Sequence, residues 1–128
     1  MTRKLVSSGS PFEPEIGFSR AVRIGNQIAV SGTAPIAPGG GVACPGDVYG
    51  QTRRCIEIIE AALKDAGATL GDVIRTRVML TDMNTWKDAA RAHGEVFGTI
   101  RPACTFVQIV QIIDPQWLVE IEADAVVA

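Results

Sequence analysis

The segment RPACTFVQIVQI, Arg101 to Ile112, sets a thiol, Cys104, two residues after a proline and inside an apolar run. Three roles are open to such a thiol: a small apolar filler, a contact for a bound ligand, or a nucleophile. A nucleophilic thiol needs a neighbouring base or cation that favours the thiolate. The chain has one histidine, His93, whose ordinary pKa near 6.5 suits proton transfer. Arg20 and Arg101 are the candidate cations, and spacing alone leaves open which group stands beside Cys104. His93 shares a helical face with Trp86 and Phe97, so a packed imidazole with one hydrogen bond is its plainer role. The three cysteines, Cys44, Cys55 and Cys104, are odd in number, and their spacings fit neither zinc nor CxxC chemistry. They suit reduced thiols in a cytoplasmic protein. The loop APGGG, Ala37 to Gly41, lacks the Gly-Lys-Ser/Thr ending of a phosphate loop and does not join a strand tightly to a helix.

A chain of 128 residues suits one domain, residues 1–128. Hydrophobic residues make up 47% and charged residues only 20%, so some apolar surface is expected to lie against another subunit. The net charge is −2 and the twelve Lys and Arg are scattered. Nucleic acid is therefore not an expected partner, because binding it needs a basic surface that releases counterions. The first ten residues lack the apolar stretch of a signal peptide, and no run approaches the roughly 20 apolar residues that cross a bilayer. No membrane partner is expected.

These side chains must be positioned by elements that the local pattern announces. Lys4–Ser8 suits a first strand, and Gly9–Gly17, with two prolines and two glycines, a loop. Ser19–Gly32 reads as a hairpin about Gly25-Asn26, two residues that tolerate positive φ. Thr33–Asp47 is a Gly- and Pro-rich loop. Asp47 is placed to cap a helix whose apolar stripe runs through Val48, Cys55, Ile59, Ala62, Leu63 and Ala66, with Gly67 ending it. That stripe makes Cys55 a core residue. Asp72–Asp82 alternates as a strand, with Ile74, Thr76, Val78 and Leu80 on one face. Asp82 or Asn84 caps a second helix in which Trp86, Ala90, His93 and Phe97 share a face. Two strands follow, Ala103–Ile112 and Trp117–Val127.

Each helix lies between strands and can cross over onto one sheet. The expected class is α+β, a mixed six-stranded sheet with two helices on one face. In the last strand Trp117, Val119, Ile121, Ala123, Ala125 and Val127 form the helix-covered face, and Leu118, Glu120, Glu122, Asp124 and Val126 the other. The preceding strand is apolar on both parities. Its Cys104 is assigned to the uncovered face with Glu120, and an uncovered face with apolar residues implies a homo-oligomer.

The segments GFSRAV (17–22), VSGTAP (30–35), Gln51, DAGATLGDVIRTRVMLTDM (65–83), RPACT (101–105) and VEIEADA (119–125) occur in an order that resembles the RidA/YjgF family across almost the whole chain. The resemblance implies a chorismate-mutase-like fold of the bacillus type and a homotrimer with clefts between subunits. It implies hydrolysis of reactive imines and enamines, such as 2-aminoacrylate, without metal or cofactor. It also implies a cleft in which Ser31, Gly32 and Thr105 line the substrate and Glu120 orients a water or stabilises a cationic intermediate. Glu120 has a plainer role too, pairing with Arg75 or Arg77 across strands. Cys104 stands where active members carry an arginine that grips the substrate carboxylate, a task for a two-pronged fork. Phe18 replaces a tyrosine, Ala90 an asparagine, His93 a second tyrosine, and Arg20 a glutamine. Arg20 reads more simply as a solvated surface side chain.

Two functions follow from the resemblance. One is an imine or enamine deaminase with altered substrate choice, in which Glu120 and Cys104 are the catalytic candidates. The substrate-binding candidates are Phe18, Ser31, Gly32, Ala90, Cys104 and Thr105. The other is a trimer whose clefts bind a small metabolite without turning it over. The ribonuclease and translation-inhibitor activities attached to some relatives sit poorly with an acidic chain that has no basic stripe.

Overall fold

The computed structural model describes residues 2–128. Besides two short 3-10 turns, the strands and α-helices of the described residues follow in order: β1 (Arg3–Val6), α1 (Phe12–Ile16), β2 (Ala21–Ile24), β3 (Gln27–Thr33), α2 (Val48–Asp65), β4 (Val73–Leu80), α3 (Trp86–Phe97), β5 (Ala103–Gln108) and β6 (Val119–Val126). The strands make one sheet in the order β1-β2-β3-β6-β4-β5. Only β4 and β5 run parallel, because α3 carries the chain back over the sheet between them. The fold is the expected α+β arrangement, with α2 and α3 on one face of a mixed six-stranded sheet.

The signals along the chain act where they stand. Asp47 accepts a hydrogen bond from the Gly50 N–H at 3.0 Å and starts α2. Val48, Cys55, Ile59, Ala62 and Leu63 are buried against the sheet. Gly67, at φ 85°, takes the left-handed turn that ends the helix. The β2–β3 hairpin turns at Gly25-Asn26, and of the two only Gly25 adopts positive φ.

Four expectations need correction. The Gly9–Gly17 loop contains α1, whose Pro14 falls in the first turn, where a missing N–H has no helical partner to lose. In β4 the register slips between Val73 and Arg75. Val73 takes the core position, and Ile74 turns out to 53% exposure. In α3 the buried line is Ala89, Ala92 and Phe97, while Trp86 is 46% exposed and Ala90 and His93 are half-buried. A short 3-10 turn over Met83–Thr85 precedes the helix, and the packed face lies about one residue round from the one expected. The last two strands are shorter than read. Between them Ile112 and Trp117 leave the sheet and form a small second core with Ala34.

The face without helices carries Leu5, Ile24, Ile74, Val107 and Val126, each between 38% and 60% exposed. Among the described residues no helix is long and apolar enough to cross a membrane.

Candidate functional site

Two groups of the singled-out residues lie apart in the chain's own fold. The first forms where β3 meets β6. Val30 pairs with Ala123 but Thr33 pairs with Ile121, so β3 carries one extra residue and bulges at Ser31-Gly32. Hydrogen bonds tie the bulge to the strand before it. Ser31 donates its N–H to the Arg20 carbonyl at 3.0 Å and its Oγ–H to the Ser19 carbonyl at 2.6 Å. Gly32 faces the carboxylate of Glu120 so closely that a Cβ would stand 2.3 Å from Oε1. Any larger residue here would have to displace that carboxylate, so the glycine matters for space and not for an unusual φ.

Arg20 crosses the end of the sheet and donates from Nη2 to the Gly32 carbonyl, with its guanidinium 5.5 Å from the Phe18 ring centre. The carboxyl of Glu120 is held above the usual range, first by burial and then by the negative charge of Glu122, with Arg20 acting the other way. A cavity of about 300 Å³ is lined by Phe18, Arg20, Ser31, Gly32, Trp117 and Glu120 among others. A second cavity, of about 500 Å³, shares the wall of Ser10, Phe12, Arg20, Ile36 and Trp117 and extends to Arg54 and Ile58 on α2.

The start of β6 is fixed from the opposite side by Gln51. This buried side chain accepts from the Leu118 N–H at 2.8 Å and donates to the Gln116 carbonyl at 3.1 Å. A helix residue thereby holds the backbone two positions ahead of Glu120.

The second group lies at the far edge of the sheet. β5 pairs in parallel register with β4, Cys104 beside Thr76 and Phe106 beside Val78. Thr76 and Val78 are fully buried under the helices, so Cys104 is on the helix side and Glu120, which pairs with Met79, on the open side. The assignment of Cys104 and Glu120 to one face is therefore corrected. Both parities of β5 are apolar, and hydropathy alone cannot choose between them. Glu120 and Cys104 also lie two strand spacings apart and three residues apart along the strands, roughly 14 Å in all, and do not meet within one chain.

Cys104 is exposed. Its Sγ lies 3.9 Å from Nε2 of His93, which is also 2.9 Å from Thr76 Oγ1. The imidazole stacks on Phe97, with ring centres 4.7 Å apart, and burial holds its pKa below the ordinary value. Neutral and already engaged by Thr76, His93 is the packed histidine expected and gives a thiolate no positive charge. Ala90 sits one turn earlier on α3, and Thr105 points to the open side beside Arg77. Arg101 is exposed at the start of β5 with φ 57°. Arg77 pairs with Glu122, not with Glu120. Burial of Cys55 pushes its thiol well above the usual range.

Two participants escaped the sequence. Arg20 is 5% exposed, where a solvated side chain was expected. Gln51 was visible only as a matching position, although a glutamine inside an apolar helical stripe is itself a signal of backbone capture. Among the described residues no group of three or more His, Cys, Asp or Glu is placed to hold a metal.

The family whose model matches residues 9–127 is described as Endoribonuclease L-PSP. The chain is 35% identical over 125 residues to a RutC family protein of Pyrococcus abyssi, covering 98% of each. It is 30% identical over 131 residues to the 2-iminobutanoate/2-iminopropanoate deaminase of Escherichia coli, again covering 98% of each. Among solved structures it is similar to Rv2704 of Mycobacterium tuberculosis, a member of the YjgF/YER057c/UK114 family. That likeness has 46% identity and a TM-score of 0.90, over 98% of this chain and 100% of that one.

Proposed function

The chain belongs to the Endoribonuclease L-PSP family, that of the RidA/YjgF proteins, and from this premise we propose that it is a homotrimer whose inter-subunit clefts hydrolyse small imines or enamines. One subunit supplies Phe18, Ser31, Gly32 and Glu120, and its neighbour supplies Ala90, Cys104 and Thr105. This division accounts for the separation of the two groups within one chain. The exposed apolar residues of the open face support the assembly.

The observation that carries the chemistry is the Glu120 carboxyl, lodged against Gly32 with its pKa raised by burial. A carboxyl poised in this way works as both acid and base. Protonated, it gives its proton to the enamine carbon and leaves an iminium ion. As carboxylate it takes a proton from the water that attacks the C=N carbon. That proton passes on to nitrogen, and as the carbinolamine expels ammonia its hydroxyl proton goes to the Glu120 carboxylate, which leaves the ketone and restores the carboxylic acid. The route calls on no metal or cofactor. The net charge of −2 favours a small molecule over RNA as the ligand.

The test is ammonia release from freshly generated 2-aminoacrylate-type imines, with Glu120→Gln as control. Turnover that survives this substitution refutes the role of Glu120. Sedimentation equilibrium should report about three chains per particle at micromolar concentration, and a stable monomer refutes the shared cleft. The thiol at position 104 favours one second reading, a cleft that binds a metabolite without turning it over. That reading predicts saturable binding with no ammonia.

A further inference from the structure

Arg20 is almost wholly buried, at 5% exposure, yet it forms no ion pair among the described residues. Its Nη2 is used by the Gly32 carbonyl, while its Nε is buried with no hydrogen-bond partner. A guanidinium is always charged, and a buried cation without a counter-ion is costly. Two carboxylates act on it at longer range, Glu13 and Glu120, but neither pairs with it directly. Glu13 is held by the hydroxyls of Ser7 and Ser8 and by the Ser8 N–H. Glu120 lies against Gly32.

The cation is also placed where a ligand can reach it. Arg20 forms part of the wall common to the two adjoining cavities. Around it that wall is mostly apolar, made by Phe12 and Trp117, packed edge to face at 6.1 Å, together with Ile36. The second cation of the larger cavity, Arg54, is already occupied by the Ile36 carbonyl at 2.6 Å and by Glu57 at 3.5 Å.

We propose that Arg20 is the anion-binding group of this protein. It takes the carboxylate of a small organic acid whose apolar carbon skeleton lies against Phe12, Ile36 and Trp117. Nε is sealed by the protein, so the terminal nitrogens, Nη1 and the second N–H of Nη2, form the two-pronged donor that matches a carboxylate. Arg20 thus supplies, from the opposite half of the cleft, the charge that Cys104 cannot. The chemical class is a 2-imino acid with an apolar side chain, or its 2-oxo product. The fate of the bound acid rests on the hydrolase reading above; its binding does not.

The experiment is a calorimetric titration of the full-length protein with 4-methyl-2-oxopentanoate and with its methyl ester. The wild type should bind one acid per chain, at least about tenfold more tightly than the ester, since only the acid offers the charge-assisted pair. Arg20→Gln should abolish measurable binding, and Arg20→Lys, which keeps the charge but loses the fork, should retain a weaker form of it. If Arg20→Gln fails to fold, the lysine variant and the acid-to-ester ratio decide. Equal binding of acid and ester, undiminished affinity in Arg20→Gln or Arg20→Lys, or no binding of the acid by the wild type overturns the proposal. Ammonia release separates the two readings. Binding through Arg20 without turnover sinks the hydrolase and leaves this site standing; undiminished turnover by Arg20→Gln does the reverse.

Discussion

Replacing Gln51 by leucine tests how the fold sets the position of Glu120. The side chain is fully buried and makes two good hydrogen bonds, from the Leu118 N–H at 2.8 Å and to the Gln116 carbonyl at 3.1 Å. A third contact, to the Cys44 carbonyl, is long at 3.4 Å and leads to an exposed residue that water can serve. Stranding the half-buried Leu118 N–H costs about 1–3 kcal/mol, and losing the Gln116 bond about 0.5–1.5 kcal/mol. The leucine offsets about 1 kcal/mol by burying more apolar surface. The expected net loss is about 0.5–3.5 kcal/mol. For a chain of this length that lowers Tm by roughly 2–14 °C. Urea titration at one fixed protein concentration should show a lower midpoint with an unchanged slope. Because Leu118 leads directly into β6, imine turnover should fall as well. A loss below about 0.5 kcal/mol, within the range of an ordinary surface change, would refute the reasoning.

The other expectations concern the site. Gly32→Val must push the Glu120 carboxylate aside, since even a Cβ would lie 2.3 Å from Oε1. Ammonia release should fall at least about tenfold, and wild-type turnover would show that this packing is irrelevant. Burial lowers the pKa of His93 from 6.5, so the unfolded chain binds its proton first and wild-type stability should decline as pH falls below 6.5. In His93→Phe that decline should be lost from the urea midpoints just below pH 6.5, leaving only the opposite slope that the raised pKa of Glu120 brings, ahead of the loss that Glu13, whose pKa is lowered from 4.5, brings in more acid solution. A decline that persists would assign it to another group. Cys104→Ala should cost less than about 0.5 kcal/mol, because the thiol is exposed, and iodoacetamide should label Cys104 about as fast as Cys44. Labelling tenfold faster would make Cys104 an activated nucleophile. Cys104→Arg, which restores the Pro-Ala-Arg-Thr run at 102 to 105, should gain affinity for pyruvate by calorimetry. No gain with the assembly intact would mean that Phe18 and Ala90 have also reshaped the pocket.

What the chain announces by itself is local. The cap at Asp47, the stop at Gly67, the turn at Gly25 and the alternation of Val119, Ile121, Ala123 and Ala125 each depend on neighbours a few residues away. The same holds for Cys55, whose place on a helical stripe settles its burial. The near-complete run of family segments adds the fold that these pieces build. Contacts distant in sequence decide the rest. Cys104 lies in a strand apolar on both parities, and only its pairing with Thr76 puts it on the helix side of the sheet. Ile74 keeps the alternation on paper but loses it to a bulge that appears when β4 meets β6. Arg20 resembles any surface arginine until α1, the Gly32 bulge and α2 close around it. A charge carries no local signal of its burial, because its burial is made by the elements that arrive from elsewhere in the chain.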